Sequence, residues 1–435
     1  MPSPELLAPA GTPEHLETAF AYGADAVYAG QPRYSLRVRN NSFKNAQALG
    51  AGIQRAHSLG KSFYVVSNIA PHNDKVRSYL RDLAPVIEFG PDALIMSDPG
   101  LIMLVREQWP DQSIHLSVQA NAVNWATVEF WRRQGISRVI LSRELGLDEI
   151  REIRQQVPAM ELEVFVHGAL CMAYSGRCLL SGYMNHRDAN QGACTNACRW
   201  NYKTVNHSHD HTGDLISATP KTAPREMLLE EPNRPGSYIP AYEDEHGTYI
   251  MNSRDLRAIQ HVAELCRMGV HSLKIEGRTK SNYYVARTTQ VYRQAIDGAA
   301  SGQPFKMELM DELEALSNRG YTEGFLRRHP PQEFQNYEQG ASSLGTQQVV
   351  GAITGRDGQW LTVDVKNRFS VGDPLELITP SGNIRFETAT MENLQGKALS
   401  CAPGSGHHVR LPAPENMPLA TDHCFLTRLL NRETP

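Results

Sequence analysis

The chain has 435 residues, of which 41% are hydrophobic and 21% are charged, a balance typical of a soluble globular protein. The chain is longer than a typical domain with one hydrophobic core, so we expect two domains, or a large barrel with a small second domain. The net charge of −4 excludes a global basic field, so any bound nucleic acid must be held by a local patch.

The sequence contains no sign of export or membrane insertion. Its first residues, MPSPELLAPAG, lack the basic and apolar regions of a signal peptide, and no apolar run approaches the roughly 18 residues of a membrane span. We therefore expect a cytoplasmic protein. Its seven cysteines are an odd number, which argues against a disulfide framework and favours metal or redox roles for clustered thiols.

Eight short, nearly continuous apolar segments recur along the first 280 residues and alternate with stretches of helical spacing. This alternation predicts parallel strands covered on both faces, and eight units predict a (β/α)8 TIM-like barrel. A ninth candidate, TYIMNS from Thr248, is one too many, and we place it in an insertion after the seventh strand. The eight segments are ELLAPA, DAVYAG, SFYVVSNIA, DALIMSDPG, IHLSVQANA, RVILSREL, LEVFVHGAL and SLKIEGR.

The predicted barrel occupies residues 1–335, with an insertion at about 171–250. Part of that insertion is polar and rich in Pro and Gly, and its alternating His207, His209 and His211 are expected to be solvated. From residue 345 to 435 the sequence changes to short alternating strands with Gly, Pro and Asn turns. This pattern predicts a small antiparallel β-barrel domain.

Polar residues follow the predicted strands, where the active sites of such barrels lie. Asp98 follows the fourth strand, Arg143 the sixth and His167 the seventh. The last strand ends in Lys274, Glu276 and Arg278, which alternate and so share one side of the strand. We therefore expect a site at this end of the barrel.

Four cysteines fall within 28 residues, Cys171, Cys178, Cys194 and Cys198, in the spacing C-x6-C-x15-C-x3-C. The spacing lacks the C-x2-C pairs of zinc ribbons and the C-x2-C-x2-C run of ferredoxins. Four thiolates brought together by loops still suit an iron–sulfur cluster, which we favour over zinc. The competing interpretation is a hydrolase with Cys171 as nucleophile and His167 as base; a buried core histidine is the other expectation for His167.

The stretch EVFVHGALCMAYSGRCLLS, from Glu163 to Ser181, resembles the signature of the collagenase-like peptidase family, peptidase family U32. Similar blocks cover almost the whole chain, among them ELLAPAGTPEHLETAFAYGADAVYAG, IHLSVQANAVNWATVEFW and GVHSLKIEGRTKSNYYVA. The blocks YAGQPRYSLRVRNNSF, NIAPHN and RGYTEGFLRRH bring the chain close to family members that hydroxylate tRNA.

This resemblance implies hydroxylation of an aromatic ring without molecular oxygen. The tRNA-acting members make 5-hydroxyuridine at the wobble position and require prephenate, whereas other members act on a ribosomal RNA cytidine or on ubiquinone precursors. The ubiquinone-pathway relatives carry a [4Fe-4S] cluster on four cysteines. One relative takes a ligand from the block that reads SRDLRAI here, which has no cysteine. The set implied for this chain is therefore Cys171, Cys178, Cys194 and Cys198.

The resemblance also implies partners and roles. The expected partners are tRNA and prephenate, with an electron donor or a family paralogue as a further candidate. Prephenate is a dicarboxylate and needs cationic groups, and the target base needs an aromatic platform. Alternative functions are a collagenase-like peptidase and a non-catalytic iron–sulfur RNA-binding protein. The candidate residues are Arg37, Arg39, Arg143, Lys274 and Arg278 for the carboxylates, Tyr34 and Tyr174 for the base, and Glu276, Asp98 and His167 for proton transfer.

Overall fold

The computed structural model describes residues 3–36, 41–171, 173–178, 180–181, 187–195, 254–277, 280–327 and 346–430. It also describes the backbone of five short strands between residues 207 and 249.

The first half of the chain alternates strands and helices. The strands are β1 (Glu5–Pro9), β2 (Ala26–Gly30), β3 (Ser62–Ser67), β4 (Ala93–Met96), β5 (Ile114–Leu116), β6 (Arg138–Ile140) and β7 (Glu161–Ala169). The helices are α1 (Pro13–Ala21), α2 (Ala46–Ser58), α3 (Asn73–Ile87), α4 (Pro99–Gln108), α5 (Trp125–Arg133) and α6 (Leu147–Gln156).

The next part contains the insertion and the end of the barrel. The insertion strands are β8 (His207–His209), β9 (Leu215–Ser217), β10 (Met227–Glu230), β11 (Tyr238–Asp244) and β12 (Gly247–Tyr249). They are followed by β13 (Asp255–Arg257), α7 (Val262–Met268), β14 (Ser272–Ile275), α8 (Asn282–Ala300), α9 (Glu308–Glu314) and β15 (Tyr321–Thr322).

Eight parallel strands close into a barrel. Strands β1 to β6 each pair in parallel with the next strand, and β14 pairs in parallel with both β7 and β1. The predicted (β/α)8 barrel and its eight strands are therefore confirmed. The ninth candidate lies in the insertion as predicted, since Thr248 in β12 pairs antiparallel with Glu243 in β11.

Side-chain caps begin several of the helices at the mouth of the barrel. Thr12 accepts a hydrogen bond from the amide of His15, Asn45 from Ala48, and Asn124 from Thr127. Such caps satisfy amides that the first helical turn leaves unpaired. Because each cap follows a barrel strand, the strand C-termini and the helix N-termini share one face of the molecule.

The C-terminal residues form an antiparallel β domain, as predicted. Its seven-stranded sheet has the order β20-β19-β24-β16-β17-β23-β21, and a two-stranded sheet pairs β18 with β22. These strands are β16 (Gln347–Asp357), β17 (Trp360–Val365), β18 (Phe369–Ser370), β19 (Pro374–Thr379), β20 (Gly382–Glu387), β21 (Glu392–Asn393), β22 (Cys401–Ala402), β23 (His408–Pro412) and β24 (Phe425–Leu429).

The β domain packs against helices on the outside of the barrel. The Tyr22 hydroxyl donates to the carbonyls of Ile378 and His423, at 3.2 and 2.9 Å. From α8, the Gln290 amide donates to the Thr379 carbonyl at 2.9 Å. Arg287 on the same helix is fully buried between domains and lies 3.6 Å from the Glu376 carboxylate. The contact therefore combines hydrogen bonds from side chains to backbone carbonyls with a buried ion pair.

None of the helices in the described ranges is long and apolar enough to cross a lipid bilayer.

Candidate functional site

A cavity opens at the mouth of the barrel, between the strand ends and the segment that follows β7. Aliphatic and aromatic side chains line much of it, and polar groups point in from several strands. The strands and the residues that follow them contribute Tyr28, Val66, Asn68, Ile95, Ser117, Val118, Gln119, Ile140, Arg143, Phe165, Ala169, Lys274 and Glu276. The other lining residues are Leu36, Leu170, Cys171, Tyr174, Ser175, Gly176, Cys178, Ala189, Asn190 and Cys194.

Lys274 supplies a positive charge at the cavity. Its ammonium lies 2.8 Å from Oε1 of Glu163, which is completely buried, and 4.4 Å from the centre of the Tyr28 ring. Glu163 also contacts Arg138 at 3.4 Å, and Arg138 contacts Glu5 at 2.6 Å. A chain of alternating charges thus runs through the barrel interior and holds the lysine side chain in one position.

Arg143 is the second cation of the cavity. Its guanidinium stacks on the face of Phe165, 3.8 Å from the ring centre. Within the described part of the chain it has no hydrogen-bond partner, so its donors are free for a ligand. Burial lowers the pKa of the guanidinium, with Glu276 acting in the opposite direction. Arginine and lysine together suit a ligand with two carboxylates.

Glu276 places a carboxylate beside these cations. Its Oε2 accepts a hydrogen bond from the amide of Gly277 at 2.8 Å and lies 3.4 Å from the Tyr28 hydroxyl. Its backbone approaches β7 closely: a Cβ on Gly168, where φ is +107°, would lie 2.5 Å from the Glu276 carbonyl oxygen. Glycine at position 168 is therefore needed for the strands to converge here.

Three of the four predicted cysteine ligands line the same cavity: Cys171, Cys178 and Cys194. Cys171 and Cys194 are exposed, and Cys178 is partly buried. Cys198 lies outside the described residues. Among the residues that are described, no three His, Cys, Asp or Glu side chains are grouped closely enough to hold a metal ion. Three thiols that line one cavity fit an iron–sulfur cluster in donor chemistry, and the fourth predicted ligand is the residue that is not described.

Hydrogen bonds to the barrel hold the cysteine-bearing segment over the cavity. Asn121, in the turn that follows β5, donates to the Ser175 carbonyl at 2.6 Å. The Asn190 side chain donates to the Cys178 carbonyl at 3.3 Å. The backbone carbonyl of Asn190 accepts a hydrogen bond from the amide of Ala70 at 3.0 Å. Residues after β3 and β5 thus determine where the thiols lie.

Gly176 allows the cysteine-bearing segment to lie close to the backbone of Gln119. It has a φ of +74°, and a Cβ there would lie 2.8 Å from the carbonyl oxygen of Gln119. A larger residue would be strained and would push the segment away from the barrel.

His167 lies away from the cavity lining. It is 1% exposed and packs against the rings of Tyr284, Tyr292 and Tyr321, with centroids 5.8, 5.5 and 5.5 Å away. Burial lowers its pKa to about 3, so the ring is neutral at physiological pH. β7 continues past it to Ala169 and pairs there with β13, so His167 lies inside a strand. These contacts fit the expectation of a core histidine.

The other predicted site residues are found in different places. Tyr174 is 53% exposed on the cavity wall. Tyr34 is fully buried, and its hydroxyl donates to Asp82 at 2.8 Å, so it presents no face to a base. Asp98 lines an adjoining cavity, and its carboxylate caps α4 by accepting from the amide of Leu101 at 2.9 Å. Arg37, Arg39 and Arg278 lie outside the described residues.

Sequence reasoning did not identify Glu163, Phe165, Tyr28 and Asn190 as parts of the site. A signal for Glu163 was present, because a carboxylate within the apolar run LEVFVHGAL must have a buried partner. No comparable signal marks Asn190, because its contact with Ala70 joins distant parts of the chain.

Comparison with known proteins shows the family. The profile of Peptidase family U32 matches residues 11–336, and that of the Peptidase family U32 C-terminal domain matches residues 345–421. A protein of Escherichia coli (strain K12) named tRNA hydroxylation protein P is 62% identical over 446 residues, covering 99% of this chain and 98% of the relative.

Two further relatives extend this similarity. tRNA hydroxylation protein P of Haemophilus influenzae (strain ATCC 51907 / DSM 11121 / KW20 / Rd) is 58% identical, covering 99% of this chain and 97% of the relative. tRNA hydroxylation protein P1 of Bacillus subtilis (strain 168) is 36% identical, covering 90% of this chain and 86% of the relative. With both profiles and these relatives, the chain belongs to peptidase family U32.

Proposed function

We propose that this chain hydroxylates tRNA and that its product is 5-hydroxyuridine at the wobble position. The proposed reaction uses no molecular oxygen and requires prephenate. The observation that carries the proposal is the 62% identity, over nearly the full length of both chains, to a protein named for tRNA hydroxylation. The contents of the barrel cavity support it.

The two cations of the cavity suit prephenate. Arg143 lies above Phe165 with donors that bond to none of the described residues, and Glu163 holds Lys274 in place. A dicarboxylate can accept hydrogen bonds from the planar arginine fork and pair with the lysine at its other end. The apolar walls strengthen both contacts because they exclude water.

The exposed Tyr174 suits a uridine turned out of the anticodon loop. Base stacking on an aromatic side chain is the usual way in which proteins hold an unpaired RNA base. Glu276 lies in the same cavity and can accept or return a proton when the uracil ring gains its hydroxyl group. These roles require the base to enter beside the carboxylate.

We further propose that Cys171, Cys178, Cys194 and Cys198 hold a [4Fe-4S] cluster. Three of these cysteines line the same cavity, and thiolates are the usual ligands of such clusters. When bound, the cluster supplies electron transfer or Lewis acidity next to the substrate. The protein's part is to hold the thiols, through Asn121 and Asn190, over the barrel mouth.

The peptidase alternative finds less support in the geometry. A cysteine hydrolase needs a base that can take the thiol proton. The candidate base, His167, is enclosed by three tyrosines and does not line the cavity that contains Cys171.

Nucleoside mass spectrometry of cellular tRNA tests the proposal. A deletion strain should lack 5-hydroxyuridine, the wild-type gene should restore it, and Cys194→Ala should not. Cys401→Ala is the matched control, because that partly buried cysteine lies in β22, in the other domain, and it should restore the modification. An unchanged nucleoside profile in the deletion strain, with tRNA still bound by the purified protein, would instead support a non-catalytic RNA-binding role.

Incubation with gelatin tests the peptidase alternative. We expect no cleavage by the purified protein. Cleavage that persists with a chelator and disappears in Cys171→Ser would support the peptidase and contradict the hydroxylase.

A further inference from the structure

Four basic side chains lie on segments next to the cavity, and none of them has a carboxylate partner among the residues that the structure describes. Lys75 and Arg77 lie in the first turns of α3, which begins at the barrel mouth. Arg177 and Arg187 lie in the two parts of the cysteine-bearing segment that line the cavity, and both are exposed. In the described ranges, none of the four forms an ion pair. We call them the mouth cations.

The mouth cations belong to neighbouring segments. The Lys75 ammonium donates to the side-chain oxygen of Gln191 at 3.2 Å, which ties α3 to the segment that contains Arg187. The amide of Arg177 donates to the carbonyl of Tyr174 at 3.1 Å, so this arginine and the exposed tyrosine share one turn.

Several arginines away from the mouth are neutralised by carboxylates. Arg55 pairs with Glu17 at 2.6 Å, and Arg132 pairs with Glu129 at 2.6 Å. Asp74 and Asp188 are the carboxylates that interact with Lys75, and Asp188 is occupied in capping the amide of Asn190 at 2.8 Å. A local positive surface therefore exists on a chain whose net charge is −4.

We infer that the mouth cations bind the sugar-phosphate backbone of single-stranded RNA on either side of the base that enters the cavity. A surface that binds single-stranded RNA needs two elements: positive charges that bind the phosphates and an aromatic ring on which a base can stack. The mouth cations supply the first element, and Tyr174 supplies the second. This inference rests on the proposed function, because it takes tRNA as the substrate. It adds the residues that bind the RNA outside the cavity.

Salt-dependent RNA binding tests this surface. The probe is an anticodon stem–loop RNA with uridine at the wobble position, and its affinity for the full-length protein is measured by fluorescence anisotropy at several KCl concentrations. Each phosphate contact on a single strand contributes about 0.7 to the slope of log affinity against log salt. The double variant Arg177→Ser/Arg187→Ser should therefore lower the slope by about 1.4 and the affinity at 0.1 M salt by about 25-fold.

The control variant is Arg132→Ser/Arg133→Ser, which removes the same charge from the C-terminal end of α5. That end lies opposite the barrel mouth, because the helices run back along the strands. It should bind the RNA with the wild-type slope. Equal slopes for wild type and the Arg177/Arg187 variant, or equal losses in the two double variants, would overturn the proposed surface.

A second variant tests the same surface if the Arg177→Ser/Arg187→Ser variant does not fold. Lys75→Ser/Arg77→Ser changes a different element and should lower the slope by about the same amount; an unchanged slope would count against the surface. These outcomes are independent of catalysis. If wild type binds RNA through the mouth cations but the deletion strain keeps its 5-hydroxyuridine, the proposed function fails while the surface is supported.

Discussion

The ammonium of Lys274 lies 2.8 Å from Oε1 of Glu163, and both side chains are almost completely buried inside the barrel. This pair connects the cavity at the mouth with Arg138 and Glu5 in the barrel interior. It explains how a lysine can present a fixed charge to a ligand from an apolar wall.

Glu163→Gln should therefore destabilise the protein strongly. Removing one partner of a buried ion pair leaves an uncompensated charge, which costs about 3–5 kcal/mol. Glu161→Gln is the matched control, since Glu161 contacts the same Arg138 at 2.8 Å but is 46% exposed, and it should cost about 1 kcal/mol or less. Urea unfolding measures both free energies. Similar losses in the two variants would show that Glu163 has no special role.

His167 should make stability fall in acid. Its pKa in the folded protein is about 3, below its ordinary value of 6.5, so the unfolded chain binds more protons between these two values. The stabilising effect is complete above pH 6.5 and is lost as the pH falls towards 3, by about 3 kcal/mol at pH 4. Comparing unfolding free energies of wild type and His167→Asn from pH 4 to 7 isolates this contribution. Parallel curves for the two proteins would contradict it.

Arg143→Met should weaken prephenate use. The variant removes the unbonded guanidinium above Phe165 but keeps an apolar contact with that ring, so we expect the prephenate concentration for half-maximal hydroxylation to rise about tenfold or more, equivalent to about 1.4 kcal/mol. Arg143→Lys should recover part of this loss, because it restores the charge without the planar fork. Arg267→Met, at an exposed position on α7, is the control and should match wild type. An unchanged prephenate requirement in Arg143→Met would remove this residue from the site.

Gly176→Ala should reduce the iron content of anaerobically prepared protein. Its Cβ would lie 2.8 Å from the Gln119 carbonyl oxygen and would displace the segment that contains Cys171 and Cys178. Gly396→Ala provides the control, because its φ of +79° is similar but no atom lies within 4 Å of the added Cβ. The control should lose only about 1–2 kcal/mol of stability from backbone strain and retain its iron. Equal iron in both variants would contradict the role given to Gly176.

The sequence predicted the barrel well because its signal is local. Strands such as β2, in which every residue is buried, appear as continuous apolar runs between helical segments. The pairing of β13 with β7 and β15 could not be predicted in this way, since strands of two or three residues have no distinct periodicity.

The site was only partly predictable for a similar reason. Position at a strand end correctly placed Arg143, Lys274 and Glu276 in the cavity, but it cannot show where a side chain points. Tyr34 turns towards Asp82 and His167 towards three tyrosines. These directions depend on contacts between distant parts of the chain.

The most direct test of the account is hydroxylation by the purified protein in the absence of oxygen. Anaerobically prepared protein is incubated with prephenate and with tRNA from the deletion strain, and the nucleosides are analysed by mass spectrometry. The account predicts 5-hydroxyuridine at the wobble position with wild-type protein and none with Cys194→Ala. Iron-free, colourless wild-type protein that still forms 5-hydroxyuridine, or iron-loaded protein that forms it only when oxygen is admitted, would contradict the account.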